Sequence, residues 1–152
     1  MWGLKICSLP FILISCFFIK ANCQSHSLNI DTGRIAILDL GRDKWLQRKF
    51  ENVKPDQLNS RDVNSIDSIF SKCLADNHID TGYYKYKRQY VAFVDKDKHK
   101  KIWINCFCND EGDFKYWKKQ PVLVEDGGDC FFNFMIDLND KQYYRFEVNG
   151  IG

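Results

Sequence analysis

Two cysteines stand one residue apart in a strand-like run of the sequence, WINCFCND at residues 103–110. Thiols at this spacing could hold a metal ion, exchange electrons or tie the fold together. A zinc site of four cysteines usually uses C-x2-C spacing, so that both sulfurs of a pair face one ion. A redox pair needs an exposed thiolate of low pKa, whereas the isoleucine and phenylalanine neighbours of Cys106 and Cys108 indicate burial. A structural role is therefore the preferred interpretation, either as disulfides or as free core thiols.

Other reactive residue types form no catalytic pattern. None of the three histidines, His26, His78 and His99, lies in a recognisable nucleophile motif with a serine or a cysteine. Two acidic groups could bind a hard cation, but neither has the spacing of a calcium loop: Asp110, Glu111 and Asp113, and Glu125, Asp126 and Asp129. We therefore predict no catalytic residue, no metal site and no cofactor.

The clearest binding signal is an alternation of aromatic and basic residues, FKYWKK at residues 114–119. This run should lie in a long connection, and loops on a rigid sheet often carry binding residues. The candidate contacts are Phe114, Tyr116, Trp117 and Lys118. In the alternative interpretation, Phe114 and Trp117 fold back and cover an edge of the sheet.

The first 23 residues have the pattern of a secretory signal. Lys5 precedes an apolar run at residues 6–19, which is too short to span a bilayer comfortably. The small residues Ala21 and Cys23 favour cleavage before Gln24. The alternatives are a retained membrane anchor and a lipoprotein.

The lipoprotein alternative takes LISC at residues 13–16 as a cleavage box with Cys16 lipidated, although the apolar run continues past that cysteine. With the signal removed, we expect a periplasmic or secreted protein that has no stable membrane span. The domain organisation is then a signal peptide at residues 1–23 and a single domain at residues 24–152.

Loss of the signal also changes the charge balance. The chain has 22 Lys and Arg against 20 Asp and Glu, and residues 1–23 contain Lys5, Lys20 and no acid. The exported part is therefore neutral, which argues against a nucleic-acid partner, because such a partner requires a concentrated positive surface. A protein or envelope partner remains as the expectation.

One amphipathic helix is expected at residues 58–77. Asn59 can cap the helix, with Asp62 facing the free amide groups of its first turn. Apolar residues then recur at steps of three and four and mark one buried face: Val63, Ile66, Ile69, Phe70, Cys73 and Leu74.

The apolar period changes to two after residue 83, which predicts strands at residues 84–95, 101–109, 122–125, 129–138 and 142–149. A further short strand is expected at residues 35–40. Residues 43–53 fit neither period and are assigned as extended chain or an irregular turn. The fold class is α+β: one amphipathic helix on an antiparallel meander sheet of four to five strands, an outline that cystatin-like and NTF2-like folds share.

The strand period also predicts how the cysteines pair. Cys106 and Cys108 share one face of their strand, and antiparallel pairing with the strand after Cys130 places Cys108 opposite Cys130, within reach of a disulfide. Cys106, one step further in, would then face the helix and Cys73. We therefore predict the bridges Cys108–Cys130 and Cys73–Cys106.

The opposite face of the sheet would carry Trp103, Phe107, Phe131 and Met135. This face needs a cover, for which the segment at residues 45–50 is the candidate. Left uncovered, it would form an apolar patch large enough to imply a partner.

Several segments of the chain are similar to those of small uncharacterised exported proteins of Bacteroidota. They are W-x-N-C-F-C at residues 103–108, V-x-x-D/E-D-G-G-x-C-F-F at 122–132, the closing V-N-G-x-G at 148–152 and F-x-N-x-K-P-x-x-L at 50–58. The resemblance implies export and an α+β domain, and it transfers no catalytic residue.

Two functions are consistent with these features. The first is a non-enzymatic exported domain that binds a protein, a peptide or an envelope component. The alternative is a small thiol-redox protein or hydrolase that uses Cys106 and Cys108 or the acidic turns.

Overall fold

The computed structural model describes residues 28, 30–79, 86–108 and 114–150. The predicted signal peptide and Cys16 lie outside these residues, as do His26, Asp110, Glu111 and Asp113. The elements in chain order are β1 (Ile35–Ile37), α1 (Lys44–Lys49), β2 (Lys54–Pro55), α2 (Ser60–Asp76), β3 (Tyr86–Val94), β4 (Lys100–Cys108), β5 (Phe131–Asp137) and β6 (Gln142–Val148). No helix among the described residues has the length and apolar character needed to cross a membrane.

The predicted α+β class, with one main helix and a mostly antiparallel sheet, is confirmed. Strands β3, β4, β5 and β6 pair in sequence order as an antiparallel meander. The sheet has six strands rather than four to five, and it is mixed. Strand β1 runs parallel to β3, and the two-residue β2 pairs antiparallel with the same strand. Neither pairing follows from the apolar period, because β1 and β2 are too short to show one.

Helix α2 forms where the capping and apolar patterns predict it. The Asn59 side chain accepts hydrogen bonds from the amides of Arg61 and Asp62, and the Asp62 carboxylate accepts from the Asn59 amide. This reciprocal capping box satisfies amide groups that a helix otherwise leaves unpaired. All six residues of the predicted apolar face are buried.

Two segments differ from the prediction. Residues 44–49 form the short helix α1, because the Asp43 side chain accepts from the amides of Trp45 and Leu46 and starts a turn that is too short for an apolar period. Residues 122–125 are not a strand, because side chains take up their backbone groups: Val122 donates to Gln89, and Val124 accepts from Asn149.

The turn that follows residues 122–125 depends on glycine. Gly127 and Gly128 have φ angles of 91° and 56°, a region that glycine enters without steric cost. A Cβ atom at Gly127 would lie 2.5 Å from the ring of Phe131. The turn leads through a 3₁₀ helix at Gly128–Cys130 into β5.

The sheet carries an apolar core on each face. The helix-side core joins the buried face of α2 to Tyr90, Ile104, Cys106 and Phe134, among others. The loop-side core lies on the opposite face, where segments around α1 and at residues 114–131 pack on Trp103, Phe107 and Met135. The segment at residues 45–50 therefore covers the second face, as expected, with the Trp45 and Phe50 rings each 5.8 Å from Trp103.

Candidate functional site

Cys108 and Cys130 form a disulfide, with their Cα atoms 5.1 Å apart. The pairing follows from the register of β4 and β5, in which Cys106 lies opposite Phe132. Cys108 lies two residues after Cys106, and Cys130 lies two residues before Phe132, so the two side chains meet on the same face. This bridge was predicted from the strand period, and it closes the connection that carries residues 114–123.

The second predicted bridge, Cys73–Cys106, is not formed in the structure. Both cysteines are free thiols, 0% and 1% exposed, within the helix-side core. Strand register determines which residues of a sheet are neighbours, but the reach from a helix to a sheet depends on how the helix packs, which register does not determine. Burial raises the pKa of Cys73 to about 12 and that of Cys106 well above its ordinary value.

Cys106 and Cys108 therefore do not form a dithiol pair. Cys108 is bridged to Cys130, and Cys106 is a buried thiol of raised pKa. The reactive species in thiol chemistry is an exposed thiolate, and neither residue provides one.

The acidic turn at residues 125–129 does not bring its acids together as ligands. Glu125, Asp126 and Asp129 are exposed. Among the described residues, the one cluster of three potential metal ligands is His99, Asp137 and Asp140. Asp137 in that cluster already accepts hydrogen bonds from Lys101 and His99, so we interpret the cluster as a link between two turns.

The four candidate binding residues at 114–118 divide into two pairs. Trp117 is 9% exposed and packs edge-on against Phe107, with ring centroids 5.9 Å apart. Phe114 packs against the same ring at 5.3 Å. These two side chains fold back onto the sheet, which was the alternative interpretation. Tyr116, at 66% exposed, and Lys118 point into solvent.

Two buried amide side chains hold this loop in place. Gln89 on β3 and Asn105 on β4 are register partners, 0% and 9% exposed, and the Asn105 amide donates to the Gln89 carbonyl oxygen at 3.0 Å. Gln89 also donates to the carbonyl oxygens of Trp117 and Gln120 and accepts from the amide of Val122. Asn105 donates to the Val122 carbonyl oxygen at 2.8 Å. The loop thus has no helix or strand of its own, but its backbone is held by hydrogen bonds to the buried side chains of Gln89 and Asn105.

A groove of about 380 Å³ lies along this loop, and we call it the loop groove. It is lined by residues 114–117 and 120–123. Tyr116 and Leu123, the latter 53% exposed, are the two large apolar side chains at its surface. Sequence reasoning missed Leu123, because the strand predicted at residues 122–125 assigned it no exposed role.

A second groove, of about 270 Å³, crosses the loop-side face of the sheet, and we call it the sheet groove. The half-buried rings of Phe50 and Tyr144 contribute to it, with Trp103 and Met135 almost fully buried beneath. Its charged lining comes from Lys49, Glu51, Asp95, Lys101, Arg145 and Glu147. The sequence carries no local signal for this groove, because its residues come from five separate segments.

The chain matches no protein-family model, no curated protein and no solved structure. The function is therefore inferred from the geometry of the two grooves.

Proposed function

We propose that this protein is an exported, non-enzymatic domain that binds a short segment of a partner protein in the loop groove. The observation that carries the proposal is the exposure of Tyr116 and Leu123 on a loop that a buried hydrogen-bond network fixes in place. A preorganised loop loses little conformational freedom on binding, and exposed tyrosine is a frequent anchor of protein interfaces.

The charges beside the loop groove favour an acidic segment. Lys87 and Lys118 hold their ammonium groups 5.5 and 5.4 Å from the ring centroid of Trp117. Neither lysine, nor Lys119, forms an ion pair with any residue in the described ranges. Carboxylates of a bound peptide would provide the missing partners, and these contacts would weaken as salt is added.

Export is supported from two directions. The first 23 residues have the pattern of a cleaved secretory signal. Disulfides such as Cys108–Cys130 form and persist in oxidising compartments, which include the periplasm and the exterior of the cell. Lipid anchoring at Cys16 remains the alternative form of export.

Selection from a library of random short displayed peptides tests the proposal. Residues 24–152, immobilised with the disulfide intact, should enrich peptides that combine an apolar residue with Asp or Glu. The double substitution Tyr116→Ser and Leu123→Ser should lower the affinity of an enriched peptide at least about tenfold, because it removes both anchors. The matched control is Ile37→Ser, since Ile37 is an exposed apolar residue, 38% exposed, outside the loop groove.

Two outcomes would refute the proposal. One is a selection without a common pattern among the enriched peptides. The other is a peptide whose affinity falls equally in the Ile37→Ser control and in the double variant.

A further inference from the structure

Strand β6 contains a bulge with strained backbone at the sheet groove. Tyr144 pairs with Met135 and Glu147 with Asn133, so Arg145 and Phe146 together lie opposite Phe134. Arg145 has a φ angle of 52°, in the left-handed region that non-glycine residues rarely adopt. Bulges of this kind change the direction of side chains and are frequent beside functional sites.

The consequence of the bulge is a change in which side chains share a face. Regular alternation would place residues 144 and 147 on opposite faces of the sheet. With the bulge, Tyr144 and Glu147 both line the sheet groove, together with Arg145 between them. Phe146 packs instead into the helix-side core. The strained residue thus brings three neighbouring side chains of β6 to one cavity.

The charges that line this cavity are balanced, with three cations and three carboxylates. Lys49 and Glu51 lie on the α1 side, and Arg145 and Glu147 on the β6 side. In the ranges that the structure describes, none of these four side chains forms an ion pair. The remaining two charged side chains of the lining, Lys101 and Asp95, form an ion pair at 3.5 Å, and Lys101 also pairs with Asp137.

Aromatic rings contact the two cations of the groove that form no ion pair within the described residues, Lys49 and Arg145. The Lys49 ammonium lies 5.2 Å from the Trp45 ring centroid and 5.3 Å from that of Trp103, and the Arg145 guanidinium lies 5.9 Å from the Tyr144 centroid. Cation–π contacts leave the N–H groups of the cation available as hydrogen-bond donors. The two glutamates provide acceptors beside them.

We propose that the sheet groove binds one neutral sugar ring of a glycan, as a site separate from the loop groove. A pyranose ring has an apolar C–H face, which stacks on an aromatic ring, and hydroxyl groups that both donate and accept hydrogen bonds. The half-buried Tyr144 and Phe50 provide the aromatic surface, while Lys49 and Arg145 are hydrogen-bond donors and the two glutamates are acceptors.

Size and charge favour a small neutral ligand in the sheet groove. The volume of about 270 Å³ lies just below the range of about 300–1,000 Å³ typical of drug-sized ligands, so it suits a single ring. A charged ligand would require a lining with an excess of the opposite charge, whereas the positive and negative side chains of this lining balance.

The experiment is a titration of ¹⁵N-labelled residues 24–152 with neutral gluco-, manno- and xylo-oligosaccharides, followed by NMR. The indole N–H of Trp103, which donates to Asn133 at 3.0 Å at the groove, is the reporter signal. At least one sugar should shift this signal and the Tyr144 amide. The substitution Tyr144→Ala should weaken binding about tenfold or more, whereas Tyr144→Phe, which keeps the ring, should stay within about twofold.

A second variant distinguishes a loss of sugar binding from a loss of folding. Arg145→Gly removes the guanidinium while placing in the bulge the residue that tolerates a positive φ, so it should fold at least as well as the wild type and bind the sugar more weakly. Tyr116→Ala in the loop groove is the matched control and should bind the sugar normally.

The proposal is overturned if none of the three neutral sugar series shifts the Trp103 signal. It is also overturned if oligogalacturonate, used as an anionic probe, binds more tightly than every neutral sugar, or if Arg145→Gly and Tyr144→Ala both bind as the wild type does.

Discussion

The side-chain amide groups of Gln89 and Asn105 are buried, and both form hydrogen bonds with the backbone of a neighbouring loop. A buried donor or acceptor that loses its partner costs about 1–3 kcal/mol, so the two side chains depend on the loop as much as the loop depends on them. In the sequence they appear only as polar residues in the middle of apolar strands. That interruption is the signal by which such residues can be found.

His99 and Asp137 join the β3–β4 turn to the β5–β6 turn. The His99 Nδ1 atom lies 2.9 Å from Asp137, whose other carboxylate oxygen accepts from the amides of Asn139 and Asp140. The hydrogen bond with Asp137 raises the pKa of His99. Desolvation lowers this pKa by less, so the pKa is raised overall. Burial alone would raise the pKa of Asp137, but hydrogen bonds from Lys101 and His99 outweigh burial and lower it.

The raised pKa of His99 makes part of the stability depend on pH. A histidine whose folded pKa exceeds its unfolded value of about 6.5 stabilises the fold fully below that value, and the contribution is lost as pH rises through the folded pKa. We expect the free energy of unfolding of the wild type to exceed that of His99→Gln by more at about pH 5.5 than at about pH 8.5. Urea unfolding at both pH values measures this difference.

The control for this measurement is His78→Gln. His78 is exposed and forms no ion pair within the described part of the chain. A difference between the wild type and His99→Gln that is constant with pH, or that grows toward alkaline pH, would contradict the role assigned to His99.

Among the elements, helix α2 combines local and tertiary stabilisation. Its N-terminus is capped by Asn59, while Asp62 forms an ion pair with Lys100 on β4 at 2.7 Å and Asp67 forms one with Arg88 on β3 at 3.1 Å. The helix is therefore held at its first turns by charges as well as along its length by the helix-side core.

Two asparagine substitutions in this region separate capping from helix propensity. Asn59→Ala should lower the free energy of unfolding by about 1 kcal/mol, because the amides of Arg61 and Asp62 lose their acceptor. Asn64→Ala, at an exposed position inside the same helix, should instead raise it by a few tenths to about 0.7 kcal/mol, because alanine has the higher helix propensity. Chemical denaturation of both variants provides the measurement, and equal effects of the same sign would argue against the cap.

At the scale of the whole molecule, the described residues contain one disulfide and two free thiols. Residues 24–152 contain four cysteines. In the folded protein we expect no thiol to react rapidly with an aromatic disulfide reagent, because Cys73 and Cys106 are buried. After unfolding without reductant, two thiols should react.

The thiol count distinguishes the remaining possibilities. Four reactive thiols after unfolding would mean that Cys108–Cys130 is not formed. A count of zero would show a second bridge and would restore the pairing predicted from the strand pattern.

Local and periodic features of the chain are what the sequence determined by itself. Helix α2 follows from a cap and an apolar period that lie within one segment, and the bridge Cys108–Cys130 follows from two neighbouring strands whose alternation determines their register. Such features depend on residues close in sequence, or on a period of two that leaves only one face for the core.

Only the tertiary structure decided the rest. Several features depend on contacts between segments far apart in sequence: the parallel pairing of β1, the free thiols of Cys73 and Cys106, the burial of Trp117 beside the exposed Tyr116, and the sheet groove. The physical reason is that packing a helix or a loop on a sheet is a collective fit of many side chains, which no single segment encodes.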